Sequence, residues 1–105
     1  MSKIVDEIIV GISRALAVDS EYLKFTVKQC EAKGVLTGQE LRQLSEMGIP
    51  VTNIGSNVLG IKANEFFEQT RGGQLSYGDL LCILGIFAQN CMISYQQKTI
   101  NKYNG

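Results

Sequence analysis

Few side chains in this sequence can do chemistry: three cysteines (Cys30, Cys82 and Cys91), ten carboxylates and ten basic groups, with no histidine. The missing imidazole removes the commonest general base, the commonest zinc ligand and the group that titrates near neutral pH. A cysteine nucleophile needs a base beside it, and the usual Cys–His arrangement has no second member here. The cysteine spacings fit neither a C-x-x-C redox pair nor a tetrahedral zinc set. An odd number of cysteines argues against a disulfide framework and for a reducing, cytoplasmic setting. We expect these residues to serve as small apolar core groups. Glu40 with Glu46, and Glu65 with Glu68, are the carboxylates close enough in sequence to divide acid and base roles. Glu40 is accounted for by helix capping and the others read as solvated helix surface. The segment Gly55-Ser56-Asn57-Val58-Leu59-Gly60 lacks the Lys and Ser/Thr of a phosphate loop, and no strand precedes it. It reads as a short helix with a glycine stop. No EF-hand spacing of oxygen ligands occurs. The expectation is no catalytic residue, no metal site and no cofactor.

These groups sit in a chain of 105 residues and 11.6 kDa, 45% apolar, with zero net charge. That suffices for one small core, and balanced charge supplies no field to gather nucleic acid or an anionic membrane. Ile4, Ile8, Ile12 and Leu16, with Val5 and Ile9 beside them, predict an amphipathic helix over about residues 3–17. Asp19 or Ser20 caps a second helix with Leu23, Val27 and Cys30 on one face, and Gly34 stops it. Thr37 and Glu40 form a capping box for a third, carrying Leu41 and Leu44. Gly48 ends it, Ile49 folds back, and Pro50 forbids continuation. A short helix over about residues 53–59 takes Thr52 as cap and Gly60 as stop. Another, over about residues 63–70, carries Phe66 and Phe67 and ends at Gly72 and Gly73. Ser76 and Asp79 make a second capping box, opening the longest helix, about residues 77–98. Its inward stripe is Leu80, Leu84, Phe87, Cys91 and Tyr95, flanked by Leu81 and Ile83.

No segment alternates with period two. The fold expected is therefore all-α, a compact bundle of about five or six helices, several short, joined by glycine-punctuated turns. Residues 1–100 form a single domain and residues 101–105 a frayed C-terminal tail. Gly55, Gly78 and Gly85 fall inside helices, where each costs about 1 kcal/mol relative to alanine; Gly85 marks a close helix approach. Asp6 and Glu7 break the first apolar run, so it is no secretory leader. The stretch from Leu80 to Ile93 falls short of the roughly 20 residues of a membrane span.

Two helices around the Gly48 turn raise a helix-turn-helix DNA-binding regulator as an alternative. The second of them offers Asn53, Ser56 and Asn57 but no basic residue, and Lys24, Lys28, Arg42, Lys62 and Arg71 are dispersed among acidic neighbours. Nucleic acid and membranes are accordingly not expected partners; a protein is. A protein-binding face would be apolar or aromatic. Phe25, Ile86, Ile93 and Tyr103 are the candidates because they lie off the inward stripes, and the same residues would serve a homo-oligomer. A weak internal echo relates Leu36–Leu41 to Ile61–Phe66, each closing with glycine, which suggests stacked helix–turn units.

The run Gly34-Val35-Leu36-Thr37-Gly38-Gln39-Glu40-Leu41-Arg42-Gln43-Leu44-Ser45-Glu46-Met47-Gly48-Ile49-Pro50 resembles the signature of the tape measure domain of bacteriophage tail tape measure proteins. Its motif positions are Thr37, Glu40, Leu41, Arg42, Leu44, Glu46, Gly48 and Pro50. The resemblance continues through Leu59-Gly60-Ile61, Glu65 and Phe66 to Leu75-Ser76-Tyr77-Gly78-Asp79-Leu80. It also takes in Ala15-Leu16-Ala17-Val18 and Gln29, and covers about residues 12–87. It implies a helical, non-catalytic module of virion morphogenesis that associates with phage tail proteins. Wholly helical, 105 residues would reach only about 160 Å, so the long rod of the family's tail rulers is not expected here. The alternative use of such a module is a small phage or mobile-element inhibitor. It would bind a host defence protein or interfere with tail assembly.

Overall fold

Capping chemistry divides the chain. The computed structural model describes the backbone of residues 2–104 and the side chains of residues 2–94. Its helices are α1 (Lys3–Leu16), α2 (Ser20–Lys33), α3 (Gly38–Glu46), α4 (Val51–Leu59), α5 (Ala63–Arg71) and α6 (Tyr77–Asn104). No strand forms among the described residues, and the architecture is an all-α bundle. The Asp19 carboxylate accepts the Glu21 amide at 2.9 Å and starts α2. Gly34 and Gly60 end α2 and α4 in the left-handed conformation, with φ of 78° and 69°, which glycine adopts without a Cβ clash. At the start of α6, Asp79 accepts the Ser76 amide at 2.8 Å and returns its own amide to the Ser76 hydroxyl at 3.0 Å.

Two boundaries differ from expectation. Helix α4 begins at Val51, directly after Pro50, so Thr52 lies inside it and does not cap it. Proline suits the threshold of a helix because its missing N–H would find no partner there. Helix α6 continues to Asn104, past the end expected near residue 98. No glycine or proline follows Gly85 before that point, and nothing in the local sequence stops it.

Helix α6 is the spine. Helices α1, α2 and α4 pack on it, α5 packs on α4, and α3 bridges α2, α4 and α5. Val5, Ile9, Ile12 and Ser13 are the buried face of α1, whereas Ile4 is 70% exposed. Of the expected Ile4–Ile8–Ile12–Leu16 ladder, Ile12 is buried and Ile8 and Leu16 pack partly against the core, while Ile4 falls outside it, because each step of four overshoots a 3.6-residue turn by about 40°. On α6, Leu80, Ile83 and Leu84 are buried while Phe87 and Cys91 are half-buried; Ile83 is core, not flank. The side chain of Tyr95 lies outside the described residues. Leu36, Ile49 and Leu75 lie between helices and are buried, plugging the bundle where helices end. The Leu36 amide donates to the Leu75 carbonyl at 2.8 Å and the Tyr77 amide to the Gly34 carbonyl at 3.0 Å. This isolated antiparallel pairing of Val35 with Ser76 ties the α2–α3 turn to the start of α6.

Residues Tyr77–Ser94, with mean hydropathy 1.3, are long and apolar enough to cross a membrane by length and composition alone. The shorter span expected from Leu80 to Ile93 counted Gly85, Gln89 and Asn90 as breaks, but none of these is charged. Leu80, Ile83 and Leu84 are buried in the bundle, which accounts for part of that apolar content.

Candidate functional site

The one buried ionic cluster among the described residues joins α2 to α3. Lys33 is the last residue of α2, Gly34 turns the chain, and Glu40 enters in the first turn of α3. The Glu40 side chain is wholly buried. Its carboxylate accepts from Lys33 Nζ at 2.7 Å, the Thr37 hydroxyl at 2.9 Å and the Thr37 amide at 3.2 Å. The capping box is therefore in place, with the hydroxyl proton directed at the carboxylate. Burial opposes ionisation of Glu40, but the bonds from Lys33 and Thr37 outweigh it and hold the carboxyl below its usual range. Both carboxylate oxygens are committed, so this is a latch between two helices with no open position for a reacting group.

One turn before Lys33, the Cys30 thiol is wholly buried and donates to the Val35 carbonyl at 3.4 Å. Burial, then the nearby Glu40 charge, pushes it up to about 11. It remains a thiol at neutral pH and is no nucleophile. Burial also raises the Cys91 thiol. Cys82, expected in the core, is exposed, and the three cysteines are free. Cys82 falls on the outward side of α6, about half a turn from Leu80 and Leu84.

The resemblance run separates into inward and outward residues. Leu41 and Leu44 are buried; Gly48 carries a φ of 91°; Pro50 stands at the threshold of α4. Arg42 and Glu46 are exposed, one turn apart, and neither forms an ion pair among the described residues. Glu65 and Glu68 are exposed, and Glu68 meets Arg71 at 3.5 Å on the helix surface. The glycine-flanked segment is part of α4, where Gly55 and Ser56 are buried; Ser56 donates to the Asn53 carbonyl and Asn57 to the Asn53 side chain. No group of three metal-ligating side chains occurs among the described residues.

Apolar surface is the larger feature. Phe25 on α2 is 54% exposed, and Ile86 and Ile93 on α6 are 36% and 45% exposed. Ile86 and Ile93 lie two turns apart on the face that also carries Cys82; Phe25 stands on another helix. The side chain of Tyr103 lies outside the described residues. A groove of about 790 Å³ runs between α1 and α6, with Ile4, Ile8 and Gly11 on one wall and Gly85, Ala88 and Met92 on the other. Gly85 does not mark the close helix approach expected of it: a Cβ there would sit 3.7 Å from Ile8 Cδ1, an ordinary van der Waals contact. Sequence reasoning missed both the groove and the Lys33–Glu40 pair. Lysine at a helix end and glutamate in the next first turn, separated by a glycine stop, is the signal that announces the pair.

In comparisons with known proteins, the chain matches no family model, no curated protein and no solved structure.

Proposed function

We propose that this chain is a non-catalytic protein-binding module that works in phage tail morphogenesis in the host cytoplasm. The observation that supports binding is the face α6 leaves uncovered. Within its apolar stretch Tyr77–Ser94, Leu80, Ile83 and Leu84 enter the core and Leu81, Phe87 and Ala88 pack partly against it, while Ile86 and Ile93 stand exposed on the outward side. Exposed aliphatic side chains repeated along one side of a helix suit a contact face. The tail setting rests on the resemblance of Gly34–Pro50 to the tape measure domain. Within that run Arg42 and Glu46 are exposed and form no ion pair among the described residues, whereas Thr37, Glu40, Leu41 and Leu44 build the fold. A partner that engages Arg42 and Glu46 gives these two outward residues a purpose.

The test is affinity purification of the tagged chain from phage-infected bacteria, with mass spectrometry of co-eluting proteins. The expected result is recovery of tail-tube, baseplate or tail-chaperone proteins, and their loss from an Ile86→Glu/Ile93→Glu variant that keeps its helical circular dichroism. Recovery of a host defence complex at fixed stoichiometry would replace this reading with the inhibitor. Retention on DNA would replace it with the regulator.

A further inference from the structure

Besides the outward stripe of Ile86 and Ile93, α1 presents a face of its own. Ile4, Glu7, Ile8, Gly11, Arg14 and Ala15 follow the spacing of a single helical stripe, and all six line the α1/α6 groove. Gly11 is the anomaly in it. A glycine inside a helix weakens it relative to alanine, yet a Cβ at this position would meet nothing within 4 Å. The fold of one chain does not require glycine there, and the missing side chain leaves room for a second backbone to cross close over α1.

The charges around Gly11 identify that second backbone. Glu7 lies four residues before it and Arg14 three after, about 6 Å and 4.5 Å along the helix axis. A copy of α1 reversed about Gly11 sets each Glu7 within about 1.5 Å of level with the copy's Arg14, and the two-fold axis makes the contact twice. Ile8 then faces the neighbourhood of Ala15 by the same reversal. Within one chain neither Glu7 nor Arg14 forms an ion pair among the described residues. The groove also has a fitting size. At about 790 Å³ and open to solvent, it has room for side chains of a second helix laid across it.

We infer that the α1/α6 groove is a homodimer interface, in which α1 of a second copy lies antiparallel across Gly11 with reciprocal Glu7–Arg14 pairs. The four helices, α1 and α6 from each copy, then form a small bundle. The interface uses a different face of α6 from Ile86 and Ile93, so the dimer and the tail-protein reading can fail separately.

Sedimentation equilibrium of the full chain, up to millimolar concentration, tests this. The wild type is expected to show a monomer–dimer equilibrium. Glu7→Arg and Arg14→Glu are each expected to weaken dimerisation by about tenfold or more, and the double charge swap to return it to within about threefold of wild type. Gly11→Leu is expected to abolish the dimer while the monomer remains folded, since its side chain enters open space. A chain that stays monomeric throughout overturns the inference. So do single swaps that associate as tightly as the wild type, or a double swap that fails to restore the dimer. Flotation with phosphatidylcholine vesicles, combined with a monomer in solution, would assign the groove to lipid and equally overturn it.

Discussion

The sharpest test of the packing is a substitution that helix propensity alone would favour. Gly55 lies in the middle of α4, where alanine should add about 1 kcal/mol of helix stability. A Cβ built there would stand 2.2 Å from Phe66 Cε2, 2.7 Å from Phe66 Cζ and 3.0 Å from Ile83 Cδ1. Phe66 is wholly buried and Ile83 is 2% exposed, so neither ring nor methyl can retreat into solvent. Displacing a packed ring by more than an ångström costs about 1–3 kcal/mol beyond any propensity gain, and often more. Gly55→Ala should therefore lose about 2 kcal/mol net, or about 8–16 °C in Tm for a domain of this size. Gly11→Ala is the internal control, because its Cβ enters open space. Measured dilute, where only monomer is present, it should gain up to about 1 kcal/mol. A second variant isolates the cause: Phe66→Leu should cost stability alone but less in the Gly55→Ala background, giving a coupling energy of about 1 kcal/mol or more. Thermal melts and urea titrations read the wild type and all four variants. A neutral or stabilising Gly55→Ala would refute the α4–α5–α6 packing.

The Lys33–Glu40 latch makes a pH-dependent contribution. Because the Glu40 carboxyl is held below its usual range, its stabilisation is complete above that range and is lost as pH falls through the depressed value. Lys33→Met leaves a buried carboxylate and should cost about 1–3 kcal/mol near neutrality, less than a fully enclosed pair because Lys33 is half-exposed. The deficit should shrink in acid as Glu40 is protonated, and urea titrations at about pH 7 and pH 3 check this; an undiminished deficit contradicts it. The Cys30 thiol behaves in the opposite sense. Its raised value, about 11, adds stability below the ordinary thiol range that is lost as pH rises toward that value. With Ellman's reagent at mildly alkaline pH, Cys82 should label at once and Cys30 only on unfolding, whereas rapid native labelling of Cys30 would contradict its burial.

Helix ends were legible in the sequence because each is decided by a few adjacent residues. Asp19, Thr37–Glu40, Ser76–Asp79, Gly34 and Gly60 act within one turn, and the structure uses all of them. Thr52 misled because two local signals competed, and the fixed φ of Pro50 won. The faces were less legible. A stripe in sequence shows that a helix is amphipathic, but its partner decides which edge is covered. On α1 the partner is α6, and it covers Val5 and Ile9 while leaving Ile4 in water. Cys82 escaped prediction for the same reason.

The same distinction bears on the run that resembles the tape measure domain. Most of its motif residues have local work to do. Thr37 and Glu40 cap α3 and latch it to Lys33, Leu41 and Leu44 enter the core, and Gly48 and Pro50 make the turn into α4. Any chain that had to join a lysine-ended helix to a capped one through a glycine turn would need similar residues, so these positions speak for a structural unit and are silent on function. Arg42 and Glu46 are not needed for that unit. They face water without an ion pair among the described residues, and exposed side chains of this kind contribute little to stability. Arg42→Ala and Glu46→Ala should each leave Tm within about 2–4 °C of wild type, since surface changes seldom exceed about 0.5 kcal/mol. If the tail setting is right, the same substitutions should reduce recovery of tail proteins from infected cells. Equal recovery by both variants would reduce the run to a folding device and leave the uncovered face of α6 as the sole ground for a protein partner.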